Sequence, residues 1–403
     1  MRLKKSVKII LIVILILIVI GVSIYIYWDK YVYKEIEINP NNFDVEVFSE
    51  VKLSSLVTNV SLNEDMIIDT EKVGSQELEI KYIKDKKRYK SKITINVEDN
   101  TAPTVFVSSI STTEGTEIDL INKFLAGDNY DDNPKKEILG EYDFNKVGTY
   151  HLTYKITDSS EHETERKFTL TVKPKPKATS TKKPVSTSTS NRVRIDFKDV
   201  VAKHKNDQTM IGIDVSKWQG EIDFSKVKEA GCEFVIIRLG YQKGLHGEMV
   251  IDPYFGENIK NAKASGLQVG VYVYTYASTK EEAKEQAAWA IKSLGTYTVE
   301  LGISYDWESW SYFNTLNLSY HNFTKVADTF LDYVEKYDNK GYLYSSKYYL
   351  ENIWTEEKHN VWLAHYTSNT TYKEKYSIWQ LCSNGKIDGI DTDVDINVMY
   401  LNK

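Results

Sequence analysis

Four regimes of hydrophobic patterning follow one another along the chain. The first is an uncharged stretch of twenty residues, Ile9 to Trp28. At about 1.5 Å per residue it spans a hydrocarbon core of about 30 Å, which predicts one membrane helix. From Lys34 to Pro174 apolar and polar residues alternate in short runs broken by turn residues, the period of antiparallel sheet. Lys173 to Arg194 is rich in Pro, Thr, Ser and Lys, holds no acid, and predicts an extended, disordered linker. After Met210 short apolar runs alternate with amphipathic helical stretches, which predicts a parallel barrel.

Charge orients the first regime. Arg2, Lys4, Lys5 and Lys8 precede the apolar run and Asp29 follows it. The positive-inside rule then makes residues 1–8 a cytoplasmic basic segment and 9–28 the anchor, with the rest outside the cell. Tyr25, Tyr27 and Trp28 fall at the outer interface. No small-x-small cleavage site follows the run, so an uncleaved anchor is expected rather than a signal peptide.

The second regime repeats itself. Lys72-Val73-Gly74 leads into Leu78–Ile83 and then Ile93–Val97; Lys146-Val147-Gly148 leads into Leu152–Ile156 and then Phe168–Val172. The offset of about 74 residues suits one small β-sandwich per copy, with the boundary at Asp99-Asn100-Thr101-Ala102-Pro103. The stretch resembles the bacterial immunoglobulin-like modules of surface proteins, most clearly in the second copy at Ala126-Gly127-Asp128 and Gly148–Asp158. The first copy lacks a counterpart of Ala126-Gly127-Asp128. Two immunoglobulin-like domains, 34–98 and 99–173, are therefore expected to act as spacers, followed by a linker over 174–205 and the barrel over 206–403. Asp128, Asp131 and Asp132 suit a solvated acidic loop better than a calcium site.

In the barrel the expected strands are 211–215, 234–239, 269–274, 301–306, 341–344, 361–366, 377–381 and 394–396. The chemistry of such barrels sits at the C-terminal ends of the strands. Asp214 ends the first of these, Asp306 and Glu308 the fourth, and Asp395 the last. Closure sets the first and last strands side by side, so four carboxyls converge on one mouth. Like-charge repulsion makes such a cluster costly as structure, and glycoside hydrolysis uses a carboxyl pair as proton donor and charge support. Trp218 and Trp310, in loops beside the acids, suit flat platforms for sugar rings; Trp289 and Trp362 suit the core, and Trp307 faces away from the acids.

Composition narrows the remaining choices. A net charge of −6 over 403 residues argues against a nucleic-acid partner. Seven scattered histidines and two cysteines give no zinc spacing, so neither a metal nor another cofactor is expected. Cys232 and Cys382 are either a pair or two buried thiols.

Gly212-Ile213-Asp214-Val215-Ser216-Lys217-Trp218-Gln219-Gly220, with Ile222-Asp223-Phe224 after it, resembles the opening signature of glycoside hydrolase family 25, the Chalaropsis-type muramidases. Phe234–Arg238, Gly270–Tyr274, Asp306-Trp307-Glu308, Trp362–Tyr366, Trp379-Gln380 and Val394–Asn397 match later blocks of that family in order. The resemblance covers residues 209 to 400. It implies an irregular, TIM-like barrel of eight strands and five helices that cleaves the β-1,4 bond after N-acetylmuramic acid in peptidoglycan. It implies Glu308 as proton donor, Asp306 as support for the substrate's 2-acetamido group, and Asp214 and Asp395 as acids of the sugar subsite or holders of a water. Arg238, Tyr274, Tyr366 and Gln380 fall where the family contacts the glycan, although each also suits packing. The expected partners are peptidoglycan strands, the membrane and an envelope protein complex. A wall-binding protein without turnover, or a glycosidase for another glycan, remains the alternative.

Overall fold

The computed structural model describes residues 5–176, 193–355 and 358–401. The chain divides into two compact units, Met1–Thr101 and Ala102–Lys403.

In the first unit a single helix, Lys5–Tyr31, contains the apolar run. Its segment Val7–Tyr31, with a mean hydropathy of 3.4, is long and apolar enough to cross a membrane. A five-stranded sheet follows, in the order Lys34–Glu35, Lys87–Glu98, Gly74–Lys84, Ser61–Leu62, with Asn42–Glu46 also on Lys87–Glu98. Asp85 and Lys86, both at positive φ, form the two-residue turn of its hairpin, whose twist suits the strands on either side. Alternate residues Ile93, Ile95 and Val97 are buried, as a period of two requires. Among its described residues this copy forms one sheet rather than the two of a sandwich.

The second copy has two layers. Ile110–Thr113, Glu163–Lys173, Gly148–Thr157 and Lys135–Leu139 form one sheet, and Thr104–Phe106 pairs with Leu125–Gly127 in another. Val105, Phe124 and Ala126 share a core with Leu152, Tyr154 and Phe168. The acidic loop is solvated only in part: Asp132 is exposed and Asp131 half-buried, but Asp128 is not solvated. Asp128 is fully buried and accepts from the amides of Tyr130 and Asp131, while Asp132 accepts at 2.7 Å from Ser319 N and from Asn322 Nδ2 of the barrel. This β domain is thus packed against the barrel within one unit, where a free spacer was expected.

Eight strands close the barrel: Thr209–Val215, Phe234–Gln242, Gln268–Tyr274, Ile303–Asp306, Gly341–Ser346, Asn360–Ala364, Ile378–Ile387 and Ile390–Tyr400. The first seven run parallel, and every residue of Thr209–Val215 is buried, as expected of a strand covered on both faces. The eighth runs antiparallel to both the first and the seventh and seals the ring between them. Outside it, Lys280–Leu294 is capped by Thr279 and buries Ala283, Ala287 and Ala290, a stripe of small residues at helical spacing. Tyr320–Glu335, capped by Ser319, buries Phe323, Ala327, Phe330, Leu331 and Val334.

Two boundaries differ from expectation. Seven α-helices accompany the barrel strands among the described residues, where five were expected, because short turns such as Phe313–Leu316 are helical. The barrel also begins before residue 206. Ile195 and Asp196 pair in parallel with Gly385 and Lys386, and helix Phe197–His204 buries Phe197 and Val200 in the barrel core. That part of the expected linker is ordered; residues 177–192 lie outside the described residues. Cys232 and Cys382 are unbonded, buried thiols.

Candidate active site

Barrel closure brings the carboxyls together. Asp214 and Asp395 are direct partners in the antiparallel register of the first and eighth strands. Asp306, the last residue of the fourth strand, lies in register with Tyr274 of the third and Tyr344 of the fifth. Glu308 follows two residues later, beyond the strand end and exposed to solvent, whereas Asp306 and Asp214 are only 5% and 6% exposed. The mouth therefore combines two sequestered acids with one that projects into the open.

A hydrogen-bond network fixes Asp214. Its Oδ2 accepts from Gln380 Nε2 at 2.9 Å and from Asn397 Nδ2 at 2.7 Å. Gln380 Oε1 in turn accepts from the hydroxyls of Tyr344 at 2.9 Å and Tyr366 at 3.0 Å, and Trp362 Nε1 donates to Asn397 Oδ1 at 2.8 Å. Such outer contacts hold a functional side chain in one rotamer. Asp306 differs: its Oδ1 is buried without a hydrogen-bond partner among the described residues. An acceptor of that kind is costly to leave unmet.

The acids hold their protons unusually tightly. Burial, then repulsion from Glu308, raises Asp214 to about 6 against the pull of Asn397 and Gln380. Burial and the charges of Asp214 and Glu308 raise Asp395 to about 9. Asp306 is pushed well up by burial, with Glu308 and Asp214 adding and Arg238 opposing. Loss of hydration among the surrounding protein atoms raises Glu308 too, although its side chain meets solvent, while a bond from Tyr344 pulls it back. A raised folded-state pKa means that the folded chain keeps protons the unfolded chain releases, so this contribution to stability is complete near pH 4 and falls as pH rises toward 9. Asp395→Asn should therefore flatten the decline of melting temperature between pH 5 and pH 9, to about half its wild-type slope or less. An unchanged slope in a pH series of thermal melts would remove Asp395 from this set.

The expected glycan contacts divide into two groups. Trp218 is 70% exposed in the loop after the first strand, with Lys217 Nζ 4.9 Å from its ring centre, and Tyr366 is 57% exposed. Both rings are solvent-exposed, with the Lys217 ammonium lying over that of Trp218. Gln380 is buried and orients Asp214, while Arg238 is buried with Nε and Nη2 on Asp252 Oδ2 at 2.7 and 2.6 Å. Tyr274 is half-buried against Tyr276. Trp310 stacks on Tyr349 at 3.7 Å, and Trp307 is fully buried against Phe323. Beside Glu308 a cavity of about 380 Å³ is walled by Trp310, Tyr344, Tyr348, Tyr349 and Tyr366. Sequence reasoning missed Tyr344, Asn397 and Asp252. The strand-end rule that singled out Asp306 applies equally to Tyr344, its neighbour in register.

Residues 213–390 match the family model described as glycosyl hydrolases family 25. The chain is 28% identical over 195 residues to YegX of Escherichia coli strain K12, covering 47% of this chain and 69% of that one. It is 27% identical over 195 residues to the autolytic lysozyme of Clostridium acetobutylicum, covering 47% of this chain and 55% of the relative. Among solved structures, a family 25 glycosyl hydrolase from Bacillus anthracis is similar at 23% identity and a TM-score of 0.43, covering 50% of this chain and 93% of that one. The segment 213–390 is a glycosyl hydrolases family 25 domain, and the chain is a glycoside hydrolase.

Proposed function

We propose that the chain is a membrane-anchored peptidoglycan hydrolase that cleaves the β-1,4 bond between N-acetylmuramic acid and N-acetylglucosamine. The observation that carries this reading is the pairing of an exposed, proton-retaining Glu308 with a buried Asp306 whose Oδ1 awaits a donor. Glu308 protonates the leaving oxygen. Asp306 accepts the N–H of the substrate's 2-acetamido group, whose carbonyl oxygen attacks the anomeric carbon, and water then opens the resulting ring with Glu308 as base. The ring that forms is cationic, which favours the ionised form of Asp306 and so opposes the burial and neighbouring acids that raise its pKa. Asp214 and Asp395 shape the adjoining sugar subsite. Trp218 and Tyr366 offer faces to the rings, and Tyr274, Gln380 and Arg238 hold the acids and the groove.

The helix Lys5–Tyr31 anchors the chain, with the basic residues inside the cell and the hydrolase at the wall. Residues 99–173 serve as an immunoglobulin-like module beside the barrel, and residues 34–98 as a single-sheet β module after the anchor. Full-length chain in carbonate-washed membranes, given purified peptidoglycan, should release fragments ending in reducing N-acetylmuramic acid. Reducing N-acetylglucosamine would change the bond, and binding without cleavage would favour the non-catalytic alternative. A soluble form beginning just after Trp28 would replace the anchor by a cleaved signal.

A further inference from the structure

Glu308 stands on a segment outside the barrel sheet that the barrel holds by aromatic packing: Trp307 is fully buried, Trp310 stacks on Tyr349, and Phe313 packs edge-on against Phe323. Beyond Asp306 the chain leaves the sheet, makes the turns Trp310–Tyr312 and Phe313–Leu316, passes Asn317 in the left-handed region and enters helix Tyr320–Glu335. No strand pairs with residues 307–319.

The β domain 102–173 adds hydrogen bonds to this packing. Asn314, six residues after Glu308, is 8% exposed, and its side chain is satisfied by β-domain backbone. Oδ1 accepts from Ala126 N at 3.0 Å, and Nδ2 donates to the carbonyls of Phe124 and, at 3.2 Å, Ile121. At the far end of the segment Tyr320 N donates to Asp128 O at 2.7 Å, its hydroxyl meets Thr104 Oγ1 at 2.7 Å, and Asp132 takes the amide of Ser319. The approach is close enough that a Cβ on Gly127 would lie 2.7 Å from the Tyr320 ring and 3.1 Å from Phe313. Phe106 packs edge-on against Tyr348, with ring centres 5.0 Å apart, and Tyr348 walls the cavity beside Glu308.

We infer that the β domain 102–173 is a positioning element of the hydrolase, fixing residues 309–322 so that Glu308 enters the mouth partly desolvated. The inference rests on the reading of Glu308 as general acid. Its physical content is that a buried amide such as Asn314 tolerates no loss of partners, so the segment and the β domain are ordered together. Contacts of this kind act on the chemical step more than on binding, because the exposed rings proposed as platforms, Trp218 and Tyr366, lie outside residues 309–322.

Two variants of the intact chain test it from opposite sides. Gly127→Leu drives a side chain into Tyr320 from the β domain, and Asn314→Asp sets a carboxylate against two carbonyl oxygens from the barrel. In both, hydrogen exchange of residues 309–322 should quicken about tenfold, kcat should fall about tenfold or more, and KM should change less than about twofold. The alkaline limb of the pH–rate profile should move to lower pH, because a looser Glu308 is better hydrated and yields its proton sooner. A purely structural contact would leave that limb in place. Wild-type kcat and pH profile in a variant with quickened exchange would overturn the inference, as would unchanged exchange in both variants. An inactive wild type would instead defeat the muramidase reading, and the exchange measurement would still decide whether the β domain braces the segment.

Discussion

Glu308→Gln is expected to lower turnover of peptidoglycan by at least about a hundredfold with little change in melting temperature. Glutamine keeps the length of the side chain and can still pair with the Tyr344 hydroxyl by donating to its oxygen, the group whose bond to Glu308 opposes the rise in its pKa. What it removes is the proton. The wall glycan leaves as a poor alkoxide and needs that proton, whereas an aryl glycoside leaves without it. The defect should therefore shrink to about tenfold or less on an aryl glycoside of the same sugar. Equal losses on the two substrates would mean that Glu308 shapes the groove rather than donating, and full activity on peptidoglycan would place the acid elsewhere. Asp306→Asn makes the contrasting case, because it should impair both substrates alike if the acetamido group attacks in each.

Phe197→Ala is expected to destabilise the barrel by about 3–5 kcal/mol, the usual cost of truncating a buried aromatic side chain. Phe197 is fully buried in the barrel core, on a helix capped by Asp196 and tied by Ile195–Asp196 to the seventh barrel strand. At roughly 2–4 °C per kcal/mol for a domain of this size, the melting temperature should drop by about 6–20 °C. A chain begun at Asn206 loses the whole helix and should fare worse. A shift below about 3 °C in calorimetry would show that the helix rides on the barrel without supporting it.

The barrel was legible because its strands are short apolar runs separated by helical periods, and closure alone made neighbours of Asp214 and Asp395. The direction of the last strand was not. Ile390–Tyr400 carries polar residues at Asp391, Thr392 and Asp393, so only Val394–Ile396 stood out, too few residues to betray a hairpin with Ile378–Ile387. Helix Phe197–His204 was hidden for another reason: its eight residues follow a run of Pro, Thr, Ser and Lys, and two core residues among lysines and aspartate read as linker. The docking of the β domain left no signal either. Asn314 and Gly127 are an ordinary polar residue and an ordinary glycine until the two surfaces meet, since contact between domains follows no period along the chain.

The pairing of Asp214 with Asp395 joins residues about 180 apart in sequence, and contacts of that span form late because the intervening chain must first be gathered in. The acid cluster consequently exists only in the closed ring. A chain that emerged behind a membrane anchor at residues 9–28 would deliver the eighth strand last among the barrel strands, and would carry no complete acid cluster until that strand arrived.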